Sequence, residues 1–183
     1  MKHADVLMSR LHDLAKEYTG GATIYALADS AIYRDLIDLL DMEAPLHRIL
    51  FKDSFLQEYA SAAPYLIALD GSDDFSLRLL EQGYGTTWLS FVISALEIDP
   101  LARILRERIN PYSEVHKQEV ILRWYDPRNM EKYFQMLTEE EAERFLNEII
   151  GAVAYVDTEE KGWLNLFAVP TKERVRLVEE AKQ

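Results

Sequence analysis

Apolar residues recur along this chain in short bursts, some at helical spacing and some as unbroken runs of four to six. Leu7, Leu11, Leu14 and Tyr18 stand three or four apart, which predicts an amphipathic helix over 5–18 that stops at Gly20-Gly21. Thr23 to Leu27 reads as a short buried strand. Asp29 or Ser30 then caps a helix carrying Ile32, Leu36, Leu39 and Leu40. The unit recurs. His47 to Phe51 reads as a strand, and Ser54 with Gln57 as a capping box for a helix that runs through Ala63 and stops at Pro64. Tyr65 to Leu69 is the clearest central strand. After the polar turn 70–74, Phe75, Leu79 and Leu80 mark a helix ending at Gly83. Thr86 to Ile93 is a further strand, and Asp99-Pro100 opens a helix with Leu101, Ile104 and Leu105 inward and arginines outward.

The second half follows the same pattern. Asn110 to His116 reads as loop, and Glu119 to Leu122 as a buried strand that carries Arg123-Trp124-Tyr125-Asp126-Pro127-Arg128 at its end. Asp126 sits where a helix N-cap belongs and Pro127 where the first helical residue belongs, since proline there lacks only an amide that has no partner anyway. Met130, Phe134 and Leu137 continue that helix. Thr138 and Glu141 form a second capping box, followed by Phe145, Leu146 and Ile149. Gly151–Val156 and Trp163–Val169 pair as a hairpin around an acidic turn. Thr171 caps a last, mostly charged helix. The expected architecture is a mixed α/β fold: a central mixed β-sheet flanked by helices, in a single domain over 1–183, with a C-terminal hairpin and helix over 151–182.

Composition fits a soluble globular chain, with 49% hydrophobic and 28% charged residues among 183. There is no cysteine, which rules out disulfides and cysteine–zinc sites. Met1 to Asp5 lacks the apolar stretch of a signal peptide, and together these features point to the cytoplasm. A net charge of −12 repels phosphate backbones, so nucleic acid is not an expected partner. Residues 101–128 run against that trend. Arg103, Arg106, Arg108, Lys117, Arg123 and Arg128 outnumber Glu107, Glu114, Glu119 and Asp126 by two.

Candidate chemistry is sparse. His3, His12, His47 and His116 fall in separate elements with no metal-ligand spacing. Gly83-Tyr84-Gly85 lacks the third glycine of a nucleotide loop and enters a strand rather than leaving one. Asp70, Ser72, Asp74 and Glu81 share the spacing of a calcium loop, but Phe75 stands where that loop must turn on glycine. No metal, cofactor or catalytic group is expected, and the chain does not read as an enzyme. Arg123 and Arg128 bracket Asp126 instead, and two guanidinium groups around one carboxylate make a strong packing junction.

Several separated segments together resemble one family. They are Leu27-Ala28-Asp29-Ser30-Ala31, Leu50-Phe51 with Ala63-Pro64-Tyr65-Leu66-Ile67, Ile104-Leu105-Arg106, and the hexad Arg123 to Arg128 with Met130 and then Gly151. The chain is similar over about 23–156 to the bacterial type VI secretion effector-adaptor family, catalogued as a domain of unknown function. The resemblance implies a cytoplasmic, non-enzymatic adaptor or chaperone. It would bind a toxic effector and help load it onto the secretion spike protein. It gives Arg123, Tyr125, Asp126, Pro127 and Arg128 a largely structural role as a corner, with contact to a partner as the alternative. Arg103, Arg106 and Arg108, with Trp124 as aromatic anchor, are the candidate rim for an acidic partner segment. An immunity-type toxin-binding protein is the alternative, and an enzyme using Arg123 and Arg128 as an anion clamp a further one.

Overall fold

A computed structural model describes residues 2–19, 22–71, 73–168 and 172–177. The chain runs α1 (Lys2–Thr19), β1 (Thr23–Asp29), α2 (Leu36–Glu43), β2 (His47–Ile49), α3 (Asp53–Tyr59) and a 3-10 turn at Ala60–Ala62. It continues through β3 (Pro64–Leu69), α4 (Asp74–Gly83), β4 (Leu89–Ser94), α5 (Ile98–Ile109), β5 (Tyr112–Ser113) and β6 (Gln118–Glu119). Last come α6 (Pro127–Met136), α7 (Glu139–Ile149), β7 (Gly151–Val156), β8 (Trp163–Phe167) and β9 (Lys172–Arg176).

Seven strands form one sheet in the order β2-β3-β1-β4-β7-β8-β9, and β5 and β6 make a separate small ladder. The central sheet flanked by helices is there, in a mixed α/β fold. Every pair in it is antiparallel, rather than a mixture of parallel and antiparallel. Strand alternation splits the core in two. Ile24, Ala26 and Ala28 of β1 join Phe91 and Ile93 of β4 on the face covered by α1, α2 and α4. Tyr25, Leu27 and Val92 point the other way, against Leu101 and Leu105 of α5, Met130 of α6 and Phe145 of α7. With both faces covered, β4 is buried at all six positions and β1 at six of seven, which is why they read as continuous apolar runs.

Several elements differ from the sequence expectation for identifiable reasons. Glu119 to Leu122 is not a buried strand. Only Gln118–Glu119 pairs, with Tyr112–Ser113. Val120 and Leu122 then donate to the carbonyls of Pro111 and Ile109, so this segment lies along the end of α5 instead of joining the sheet. The region expected as loop thus holds β5. The helix after β1 starts only at Leu36, because Asp29 and Ser30 are used elsewhere: the Ser30 hydroxyl donates to the Ala63 carbonyl at 2.8 Å. Ser54 does not cap α3, whose N-cap is Lys52; its hydroxyl donates to Glu119 at 2.8 Å. Helix α3 ends at Tyr59 and the 3-10 turn follows it, while Pro64 opens β3.

The expected C-terminal helix also gives way. Residues 172–176 form β9, an edge strand in which Val175 faces Leu164 and Arg176 faces Trp163. The guanidinium groups of Arg174 and Arg176 sit over the Trp163 ring at 4.9 and 5.7 Å, a cross-strand arrangement that favours extended backbone there. The rest of that expected helix, residues 178–182, lies outside the described residues. The Thr138–Glu141 capping box and the β7–β8 hairpin form as the sequence predicts.

Candidate functional site

The hexad sits where β1, the loop after β6 and α6 meet. Asp126 is the N-cap of α6 and Pro127 its first residue. One Asp126 carboxylate oxygen accepts from the Arg128 backbone amide at 2.9 Å and from Arg128 Nε at 3.0 Å; the other accepts from Arg128 Nη2 at 2.6 Å. The side chain of Asp126 is 1% exposed, so this fork replaces the water the carboxylate gives up. Arg128 itself is more than half exposed.

The second half of the corner comes from β1. Arg123 Nη2 donates to Asp29 Oδ2, and the same nitrogen stands 3.7 Å from Asp126. Asp29 Oδ1 accepts from the Ala31 amide at 2.9 Å, which turns the chain out of the strand. Asp29 is as buried as Asp126. Burial raises its pKa above the ordinary carboxyl range, against the Arg123 guanidinium and the Ala31 amide, with the Asp126 charge adding to the rise. Two carboxylates and two guanidinium groups leave the corner neutral.

The aromatic members of the hexad are core. Tyr125 is 2% exposed, and burial first, then the Asp29 charge, pushes its phenol well above its usual range. The Ser90 hydroxyl of β4 donates to the Tyr125 carbonyl at 2.8 Å, which ties the corner to the centre of the sheet. Trp124 is 1% exposed and meets Phe145 edge-on at 5.1 Å between centroids. It packs α6 and α7 together and offers no surface to a partner, contrary to the anchor role expected for it.

The arginine rim is not brought together as a free surface. Arg106 Nε and Nη2 both donate to the Ile49 carbonyl of β2, at 3.0 and 2.8 Å. Arg108 pairs with Glu148 and lies over the Phe145 ring at 5.4 Å. Arg103 is exposed on α5. Sequence reasoning missed Asp29 as the partner of Arg123 and took it for a helix cap. The one available signal was an acid at the end of an apolar run inside a family-like segment.

Fold and site define a mixed α/β domain built around a neutral corner in which two buried aspartates meet two arginines that reach solvent. The family model described as a domain of unknown function (DUF4123) matches residues 24–144, well over half of the chain, and the chain belongs to that family. The matched span holds all four residues of the corner. Neither the comparison with curated proteins nor that with solved structures gives a match. Among the described residues no helix is long and apolar enough to cross a membrane, and no group of His, Asp or Glu is arranged to hold a metal ion.

Proposed function

We propose that this chain acts by binding proteins rather than by catalysis, as a cytoplasmic adaptor that holds a type VI secretion effector and helps deliver it to the secretion spike. The observation that carries the reading is the hexad Arg123 to Arg128, which gives the chain its family resemblance and is built here as a corner. Both carboxylate oxygens of Asp126 are filled by the start of α6 and by Arg128. Used in this way, Asp126 holds an element in place and is poorly suited to take a proton from a substrate. The two arginines of the suggested anion clamp spend their charge on buried carboxylates, which speaks for a scaffold over an enzyme.

A chain that works as a scaffold needs a rigid surface, and the corner supplies rigidity by joining β1, α6 and the core in one network. Co-expression with type VI effector and spike proteins from the same organism tests the reading, followed by sizing of the complex. A stoichiometric complex supports it; separate elution of all three proteins contradicts it.

A further inference from the structure

The seven-stranded sheet ends on one side at β2, a strand of three half-buried residues. A sheet edge presents backbone groups with which a strand from another chain can pair, and an unprotected edge invites that pairing. The β2–β3 register sets where those groups point. Ala68 donates to the Leu46 carbonyl and Leu50 to the Pro64 carbonyl, each at 2.9 Å. Arg48 lies between them, opposite Leu66. Positions 46, 48 and 50 therefore spend their backbone groups on β3, and the carbonyls of His47 and Ile49 point away from the sheet.

Both outward carbonyls are taken by guanidinium groups. Arg48 Nη1 donates to the His47 carbonyl at 2.8 Å. Arg106 of α5 donates to the Ile49 carbonyl through Nε at 3.0 Å and Nη2 at 2.8 Å. Helix α5 holds both arginines in place. Asp99, in its first turn, takes the fork of Arg48 at 2.6 and 3.3 Å, and Arg106 stands about two turns further along. Two donors from one charged side chain bind a carbonyl more strongly than the single amide that an added strand would bring.

We infer that Arg106 and Arg48 seal the β2 edge against pairing with a second copy of this chain, which makes α5 a guard on the sheet as well as part of the core. A second copy is the occupant excluded because β2 of each copy offers the same edge to the other, and antiparallel pairing about a two-fold axis is self-complementary. The seal stands apart from any adaptor role.

Sedimentation velocity of the full chain over a concentration series tests it. Arg48→Ala with Arg106→Ala uncovers both carbonyls and moves self-association to at least about tenfold lower concentration than in wild type. Arg103→Ala with Arg144→Ala removes the same charge from exposed positions of α5 and α7 and leaves wild-type behaviour. Adding Ile49→Pro to the edge variant takes away an outward amide without touching the β2–β3 ladder, and restores the wild-type state. Hydrogen exchange at Ile49 slows as the edge variant associates. Unchanged association of the edge variant overturns the proposal, and so does equal association of the Arg103–Arg144 control, which would trace the effect to charge. Association that leaves exchange at Ile49 unaltered or persists with the proline, aggregation from a failed fold included, places the contact elsewhere and overturns it too.

Discussion

Arg123, in the irregular segment before α6, donates to Asp29 at the end of β1, joining positions 94 residues apart in sequence. The contact makes one unit of two structures that the sequence presents separately, the turn out of the first strand and the start of the sixth helix. Removing the cation leaves a 1%-exposed carboxylate without its counter-charge. Arg123→Ala therefore destabilises the fold by roughly 2–3 kcal/mol, below the cost for a fully buried pair because Arg123 itself reaches solvent. Urea denaturation measures this, and Asp29→Asn added to Arg123→Ala recovers part of the loss.

The pH dependence of that loss has a definite sign. Asp29 has a raised pKa in the folded state, so its contribution to stability is present at low pH and is lost as pH rises through the raised value. Without Arg123 the ionised form is still less favourable. The difference between wild type and Arg123→Ala is thus largest near neutral pH and shrinks as Asp29 takes up its proton. Denaturation midpoints of both proteins over a mildly acidic to neutral series check it.

Glu81 behaves in the opposite way. It accepts the Ala4 backbone amide at 2.9 Å, a cap for α1 supplied from α4, and that hydrogen bond is the main cause lowering its pKa from 4.5 to about 2. A lowered carboxyl pKa stabilises the fold above the unfolded value, and this is lost as pH falls from about 4.5 toward 2. Glu81→Gln is less stable than wild type at neutral pH, and the gap closes across that acid window in thermal melts.

The junction between α7 and β7 gives a pair of opposite predictions. Ile150 has φ 50° and is 50% exposed, a β-branched residue in the left-handed region with little packing to hold it there. Ile150→Asn stabilises the protein by about 1 kcal/mol. Next to it, a Cβ on Gly151 would lie 1.7 Å from the Ile93 carbonyl oxygen of β4. Gly151→Ala forces β7 away from β4 and costs about 3 kcal/mol or more. Chemical denaturation of both variants reads the two signs.

Much of this architecture was legible in the chain, and the reasons for the rest are physical. The runs Ile24 to Ala28 and Leu66 to Leu69, the Asp126-Pro127 start and the Thr138–Glu141 box depend on neighbours in sequence, so local patterns reveal them. Apolar strands alternating with helices do not state strand direction, and the all-antiparallel pairing follows from how the connections return the chain. Val120 to Leu122 has the composition of a strand but finds its partners in the carbonyls of Pro111 and Ile109, which no local pattern shows. The arginines of α5 looked free because their acceptors, the Ile49 carbonyl and Glu148, lie far away in sequence.

Joint expression of this chain with type VI effector and spike proteins from the same organism, followed by sizing and an assay of any bound toxin, tests the proposed binding role most directly. The adaptor reading predicts a stoichiometric complex in which the toxin keeps its activity. A toxin silenced in the complex would mark an immunity protein instead, and failure of any complex to form would contradict a binding role altogether.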